Sequence, residues 1–146
     1  MIDPMIYRHS VQYYETDAMG IVHHSNYIRW MEETRSDFLL QSGTSIREIE
    51  DLGLLMPVLE VSCKYQTPAT FGDTVKIRAQ LDWFNGLKYQ VSYFMTNEDE
   101  RITYVTGTSL HCFLNKKLRP VVLERVAPEI FQIFYEQALE KRRPLK

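Results

Sequence analysis

Apolar residues alternate with polar ones on both sides of Asn85-Gly86, and this feature constrains the fold more than any other. The apolar positions are every second residue across 75–83 and again across 89–95. Such alternation is typical of a β-strand with one buried face. Asn-Gly favours a type I′ turn, which requires a positive φ at both central residues. The pattern predicts an antiparallel hairpin in which a strand at 74–84 returns through a type I′ turn.

Three further segments rich in β-branched and aromatic residues predict strands at 5–14, 57–67 and 101–114. The links between successive strands are short, and residues 70–73 join the strand at 57–67 to the hairpin. Short links favour pairing between strands that are neighbours along the chain. We therefore expect the four strands after residue 57 to form an antiparallel meander.

One long helix is predicted before this sheet. Large residues recur at spacings of three and four between Tyr27 and Phe38, which is the period of a helix with one buried face. Ser25 and Asn26 are good N-caps, and Gly43 supplies the stop. The helix should pack on the sheet through its apolar face.

Two shorter helical segments complete the expected architecture. Residues 45–51 suit a short helical turn, and a second helix is predicted from about 128 to 141. Strand, loop, long helix, four antiparallel strands and a terminal helix make an α+β fold, with a helix covering one face of the sheet.

The composition is that of an ordinary globular chain. Its 146 residues fit one domain, 1–146, and 45% of them are hydrophobic. A net charge of −2 gives no general attraction to nucleic acid. No apolar run approaches the roughly 20 residues of a membrane span, and the N-terminus lacks the pattern of a secretory signal. The two cysteines, Cys63 and Cys112, are too few for a disulfide framework. We therefore expect a cytoplasmic protein.

Polar functional groups are densest between Tyr13 and Arg35, where the predicted first strand ends and the long helix follows. Asp17 lies just past the strand end, and its carboxylate could attack a carbonyl or take a proton from water. His24 precedes the helix start, whose free amides carry partial positive charge and suit an oxyanion. An Asp in a loop is more often a turn residue. These residues alone do not identify the reaction. No metal site is expected, because no ligand cluster stands at the right spacing around His23 and His24.

A resemblance to a known family does identify a reaction. The run Tyr-Glu-Thr-Asp-Ala-Met-Gly-Ile-Val-His-His-Ser-Asn-Tyr at 14–27, continued by Glu-Glu-Thr-Arg at 32–35, resembles the signature of the 4-hydroxybenzoyl-CoA thioesterase family. Within that family it is most similar to the small bacterial acyl-CoA thioesterases, which include those encoded beside the Tol-Pal envelope system. Weaker similarities follow at 65–73 and at Arg119-Pro120, so that the resemblance spans roughly residues 7–123.

The resemblance implies a hot-dog fold, in which a curved antiparallel sheet wraps around one long helix. It implies subunits that join sheets edge to edge into a homodimer or homotetramer, with active sites at the dimer interface. The implied activity is hydrolysis of acyl-coenzyme A to a free acid and CoA, without a cofactor. We favour a general fatty acyl-CoA over a hydroxybenzoyl substrate, because the former is commoner among similar proteins.

The resemblance also assigns roles to residues by position. Asp17 corresponds to the catalytic carboxylate, as nucleophile or as general base, and His24 to the motif histidine near the thioester. The positions expected to bind or position the substrate are Tyr14, Gly20, Asn26 and Tyr27. Glu32 and Arg35, three apart on the helix, are interpreted as a structural ion pair.

The phosphates of CoA should meet basic side chains at the pocket mouth, and we expect these to come from Lys88, Lys116, Lys117 and Arg119. The same residues could instead dock an acyl carrier protein, which leaves an acyl-carrier thioesterase as an alternative. A hot-dog dehydratase is less compatible with the Asp-Gly-His-Asn-Tyr order. A binding module that has lost its chemistry is a third alternative, against which the intact Asp17 and His24 argue.

Overall fold

The computed structural model describes residues 5–143. Within that part of the chain the strands are β1 (Met5–Ser10), β2 (Leu54–Leu55), β3 (Val58–Tyr65), β4 (Thr74–Phe84), β5 (Lys88–Thr96), β6 (Thr103–Cys112), β7 (Leu114–Asn115) and β8 (Glu140–Lys141). The α-helices there are α1 (Ser25–Ser42), α2 (Ile46–Asp51), α3 (Leu123–Val126) and α4 (Pro128–Gln137). A 3-10 turn, Tyr13–Glu15, follows β1 where the sequence predicted that the strand would continue.

The main sheet has the strand order β1-β4-β5-β6-β3, and β8 pairs with the far end of β4. All pairings along that order are antiparallel. The predicted meander is wrong at one place, since β3 pairs with β6 and not with β4. Both sides of β4 are taken by β1 and β5, so residues 66–73 carry the chain across the sheet. In this crossing Ala69 donates its amide to the Tyr27 hydroxyl and accepts the Val22 amide.

Helix α1 covers the inner face of the sheet, which confirms the predicted α+β class. Its buried face includes Trp30, Met31 and Phe38, which join the core formed by alternate residues of the strands. Gly43 ends the helix as predicted, with φ at +99° and its amide bonded to the last-turn carbonyls.

The predicted N-caps are wrong, because the helix begins at Ser25 and His24 occupies the N-cap position without a capping side-chain bond. His23 takes part of that role: its Nδ1 lies 2.8 Å from the Ser25 hydroxyl and accepts the Ser25 amide at 3.3 Å. His23 therefore accepts the first two amides of α1, that of Ser25 through its ring and that of Asn26 through its carbonyl.

The β4–β5 hairpin is confirmed, but its turn is not type I′. Gly86 has φ at +89°, whereas Asn85 is not among the described residues with positive φ. Asn85 is buried, and its Oδ1 accepts the amides of Leu87 and Lys88 at 2.9 and 2.6 Å. The side chain thus closes the turn in place of the expected backbone geometry.

The terminal helix begins at Pro128 as predicted but ends at Gln137, short of the expected residue 141. Strand β1 pairs with β4 only as far as Ala79, which leaves the rest of that edge open. The chain fills it: the amides of Leu139 and Arg142 donate to carbonyls of β4, and β8 runs parallel to it. No helix within residues 5–143 is both long enough and apolar enough to cross a bilayer.

Candidate active site

The loop between the 3-10 turn and α1 is a small closed structure with Asp17 in it. Thr16 and Val22 form an antiparallel bridge across its base. The Asp17 amide donates to the Ile21 carbonyl at 2.8 Å, and the Gly20 amide returns to the Asp17 carbonyl at 2.9 Å. Gly20 has φ at +79°, a conformation that residues with a Cβ adopt only at a cost. The predicted position Gly20 thus shapes the turn that carries the carboxylate.

One oxygen of the Asp17 carboxylate accepts the Met19 amide at 2.8 Å. Its other oxygen has no hydrogen-bond partner among the described residues. Asp17 is half-buried and lines a cavity of about 320 Å³. The remaining lining residues are Met19, Ile21, Val22, His24, Tyr27, Tyr65, Gln66, Thr67 and Pro68. The cavity is therefore mainly apolar, with one carboxylate and one imidazole on its wall.

His24 brings the start of α1 to the same cavity. Its side chain is exposed, its ring lies 4.3 Å from that of His23, and the Tyr65 ring meets it edge-on at 6.1 Å. The start of α1 brings the positive end of the helix dipole to the cavity wall, although His23 already accepts the amides of Ser25 and Asn26. A carboxylate, an imidazole and a helix N-terminus therefore converge on one space.

Tyr27 and Asn26 are both buried but differ in what they contact. Tyr27 lines the cavity and supports its wall, since its hydroxyl accepts the Ala69 amide at 3.2 Å. Burial raises the pKa of Tyr27, so the phenol is neutral. Asn26 lies behind the cavity, where its Nδ2 donates to the Glu15 carbonyl at 2.8 Å. Asn26 therefore ties the helix start to the beginning of the Asp17 loop.

Other predicted site residues lie apart from this cavity in the single chain. Tyr14 is 79% exposed and does not line it. Lys88 starts β5, and the exposed Lys117 and Arg119 follow β7, whereas the cavity adjoins the end of β3 that pairs with the start of β6. The length of β5 separates these two ends of the sheet by about 27 Å.

Several residues of the site were not predicted. Tyr65, Gln66 and Thr67 bring the end of β3 to the cavity, and the sequence marked this stretch only through the weak resemblance at 65–73, without a role in the site. Glu15 was also missed, although it is buried directly before the loop with its carboxylate bonded to His9 and Trp30. Neither set shows a spacing that would reveal it without the fold.

The predicted ion pair of Glu32 and Arg35 is confirmed, with Nη2 of Arg35 2.6 Å from the carboxylate. Arg35 is buried, and its Nη1 also donates to the Tyr89 hydroxyl at 3.2 Å. Burial disfavours the charged guanidinium, but Tyr89 and Glu32 outweigh it and raise the pKa of Arg35. This pair fastens α1 to the sheet on the side away from Asp17.

A larger cavity, of about 410 Å³, lies at the opposite end of the sheet. It is lined by the β4–β5 turn and the C-terminal helices, with Phe84, Leu87 and Phe131 among its apolar residues. No histidine of the described chain borders it. It is larger than the Asp17 cavity, and its charged lining residues are Glu124, Lys141 and Arg142. Residues 5–143 contain no group of three or more metal-binding side chains placed to hold an ion.

Comparisons with known proteins agree with this geometry. Residues 11–136 match the family described as the thioesterase-like superfamily. The Bacillus subtilis protein named "Putative acyl-CoA thioesterase YneP" is 30% identical over 128 residues, which cover 88% of this chain and 92% of that protein. A 1,4-dihydroxy-2-naphthoyl-CoA hydrolase of Thermosynechococcus vestitus is 28% identical over 107 residues, covering 73% of each chain.

Solved structures show the same fold. The DHNA-CoA thioesterase of Staphylococcus aureus superposes with a TM-score of 0.85 at 25% identity, covering 90% of this chain and 88% of that one. The predicted hot-dog fold and the predicted class of thioester hydrolase are both confirmed by these matches. The family match extends from the residue after β1 almost to the end of α4, so that it includes Asp17, α1 and the strands β2 to β7. The chain belongs to the thioesterase-like superfamily.

Proposed function

We propose that the protein hydrolyses the thioester of an acyl-coenzyme A, with Asp17 as its catalytic carboxylate. The observation that carries this proposal is the meeting of Asp17, His24 and the start of α1 at one cavity. Hydrolysis of a thioester needs a group that delivers or replaces water, and donors for the negative charge that develops on the carbonyl oxygen. Asp17 can deliver or replace water, and His24 and the start of α1 can donate to the carbonyl oxygen.

Two routes use this arrangement. In the first, Asp17 takes a proton from water, the hydroxide adds to the carbonyl carbon, and the carbon–sulfur bond then breaks to release CoA as a thiol. In the second, Asp17 attacks the carbonyl itself, CoA leaves, and water hydrolyses the resulting mixed anhydride. In both routes the α1 amides stabilise the oxyanion and His24 donates to the carbonyl or orients water. The free oxygen of Asp17 serves either route.

The substrate class is proposed to be a general fatty acyl-CoA. The cavity wall combines the aliphatic side chains of Met19, Ile21 and Val22 with the rings of Tyr27 and Tyr65. Such a wall accepts an aliphatic chain, and it also accepts the aromatic acyl group of relatives that act on 1,4-dihydroxy-2-naphthoyl-CoA. A panel containing both kinds of acyl group separates the two.

A homodimer formed through β3 is the proposed assembly. This edge strand is exposed along nearly its whole length, and it presents apolar side chains: Val58 is 52% exposed, Val61 42% and Tyr65 50%. A long apolar edge is prone to pair with another strand. Pairing two copies antiparallel joins the sheets, and two such dimers can form the tetramer.

The dimer would also explain where the predicted basic residues act. In an antiparallel pair, Val58 of each β3 lies beside Tyr65 of the partner's strand. Val58 pairs with His111 near the end of β6, beside the start of β5. Strands are about 5 Å apart, so Lys88 of one copy would lie roughly 15 Å from β3 of the other. Lys88, Lys117 and Arg119 are therefore proposed to meet the phosphates of CoA bound at the partner's Asp17.

The protein is further proposed to be cytoplasmic, to act as one domain over residues 1–146, and to work without a cofactor. Because of the motif at 14–27, we also propose that it is one of the small bacterial acyl-CoA thioesterases of the Tol-Pal type.

The test is release of free thiol from a panel of aliphatic and aromatic acyl-CoA substrates. Asp17→Asn should lower kcat by about 100- to 10,000-fold while leaving the unfolding temperature unchanged. The matched control is Asp51→Asn, at the exposed end of α2, which should leave kcat unchanged. Near-native turnover of every substrate by Asp17→Asn would refute the role of this residue. Faster turnover of matched acyl-carrier-protein thioesters would favour the carrier-protein alternative.

A further inference from the structure

A buried carboxylate lies immediately before the Asp17 loop. Glu15 is only 6% exposed, and a buried charge is costly unless several partners compensate it. Its Oε1 accepts the Gln12 amide at 2.8 Å, and its Oε2 accepts the Trp30 indole at 2.7 Å. Burial alone would raise the pKa of Glu15, but the bonds from His9, Gln12 and Trp30 together lower it. Glu15 is therefore held as an ionised carboxylate.

His9 lies between this carboxylate and a second one. Its Nε2 is 2.8 Å from Glu15 Oε1, and its Nδ1 is 3.0 Å from Glu33 Oε2. The ring also lies against Trp30, with a centroid distance of 4.5 Å. An ionised carboxylate only accepts hydrogen bonds, so both ring nitrogens must donate, and a histidine that donates from both is an imidazolium. The geometry therefore requires a positive charge on His9.

The groups around His9 come from three elements. Glu15 belongs to the 3-10 turn, Glu33 to α1, and Tyr7 to the same strand, β1, two residues earlier. Burial raises the pKa of Tyr7, and the charges of Glu33 and Asp37 raise it further, so Tyr7 is a neutral neighbour. The imidazolium thus links the carboxylate of the turn to the carboxylate of the helix.

This link ends at the loop that carries Asp17. The backbone carbonyl of Glu15 accepts both the His23 amide at 2.9 Å and the Asn26 side chain at 2.8 Å, one on each side of the helix start. Asp17 follows Glu15 by two residues. A displacement of about 1 Å at a reacting group can reduce the rate by about 100-fold, so whatever fixes Glu15 also affects catalysis.

We propose that His9, as an imidazolium held between Glu15 and Glu33, is a positioning residue that fixes the Asp17 loop against the start of α1. This inference rests on the proposed thioesterase function for its kinetic consequence. Without either hydrogen bond from His9, the carboxylate of the turn is no longer joined to the carboxylate of the helix. The loop then loosens, and kcat falls while KM changes little.

The test compares kcat and KM of His9→Gln and Glu33→Gln with those of the wild type at neutral pH. His9→Gln keeps a polar side chain without the charge, and it should lower kcat about tenfold while KM changes by less than about twofold. Glu33→Gln removes one of the two carboxylates and should lower kcat by a smaller factor, about threefold. Asp37→Asn, one turn along α1, is the matched control and should leave kcat unchanged.

Nitrogen-15 spectra of the histidine rings provide a readout that does not depend on turnover. In the wild type at pH 7 both ring nitrogens of His9 should be protonated. A neutral His9 at pH 7 would overturn the proposal, as would a wild-type kcat in both His9→Gln and Glu33→Gln. A loss of folding stability in His9→Gln with no separate change of kcat relative to KM would show a purely structural role and would also overturn it. An enzyme inactive on all acyl-CoA substrates would refute the proposed function instead, leaving the spectra to decide the state of His9.

Discussion

The two ends of the sheet surround histidines with different groups. At the Asp17 end, His9 lies between the carboxylates of Glu15 and Glu33. At the other end, His111 is stacked on Tyr89 at 4.9 Å and is 1% exposed. Burial, followed by the nearby charge of Arg35, lowers the pKa of His111 to about 3. The histidine at one end has carboxylates as its partners, whereas the histidine at the other end lies against aromatic rings and the charge of Arg35.

The cavities follow the same division. The smaller one adjoins the charged cluster and has Asp17 on its wall. The larger one adjoins an aromatic cluster in which Phe84, Phe113 and Phe134 contact one another. Apolar packing tolerates a void without positioning any group, whereas a fixed charge network positions the residues bonded to it. Cavity size therefore indicates the catalytic site less well than the polar groups around it.

Filling each cavity with a tryptophan side chain is the most direct test of the difference between the two cavities. Ile21→Trp places an indole in the Asp17 cavity and should lower kcat/KM for acyl-CoA by about 100-fold, because the reacting carbonyl is displaced. Val122→Trp occupies the larger cavity and should leave kcat/KM within about twofold. Steady-state thiol release measures both. Equal losses in the two variants would mean that the larger cavity also takes part in turnover.

The neutral histidine predicts a specific dependence of stability on pH. The pKa of His111 is about 3 in the folded state, against an ordinary value of 6.5 for the unfolded chain, so the unfolded state binds the extra proton as the pH falls below 6.5. The stabilisation is complete above pH 6.5 and is lost toward pH 3, at up to about 1.4 kcal/mol for each pH unit.

The measurement is the free energy of unfolding by urea between pH 7 and pH 4. His111→Phe keeps the ring on Tyr89 but cannot bind a proton, so the loss of stability at low pH should be smaller in this variant than in the wild type. Identical pH dependence in the two proteins would mean that the pKa of His111 is the same in the folded and unfolded states, which would contradict burial of a neutral imidazole at that end.

A variant of the edge strand β3 tests whether activity at the Asp17 end of the sheet needs a second copy of the chain. Val61 lies in the middle of β3 and is 42% exposed, so Val61→Lys places two like charges together in an antiparallel pair. We expect the assembly to dissociate and kcat/KM to fall about tenfold as the partner's groups are lost. Light scattering and thiol release measure the two effects. Thr106→Lys, on the outer side of the sheet, is a suitable control, and a fully active monomer would contradict the proposed interface.

Much of the architecture was predictable because it depends on local periodicity. The strand at 74–84 has the bounds that the alternation predicted, and the stop at Gly43 follows from a residue that tolerates positive φ. The errors fall where tertiary partners compete with local preference. The pairing of β3 with β6 was decided by the occupied edges of β4, and the end of α4 by the open edge that β8 fills.

The site was predictable only in part. The motif at 14–27 pointed to Asp17 and His24, and the fold brings both to one cavity. The hydrogen-bonded residues around Glu15 include His9, Trp30 and Glu33, whose positions along the chain follow no common spacing. Their contact depends on how β1 lies against α1, which the sequence does not reveal.

Local patterns in the sequence were enough to predict an α+β protein with one long helix, a sheet with an apolar inner face, and a motif that resembles thioesterases. Periodicity and short motifs contain this information because each depends on residues a few positions apart. The pairing of the strands, the residues that share the Asp17 cavity and the partners of each histidine became visible with the folded structure. These outcomes depend on contacts between distant segments, where burial and neighbouring charge set the energy of each group.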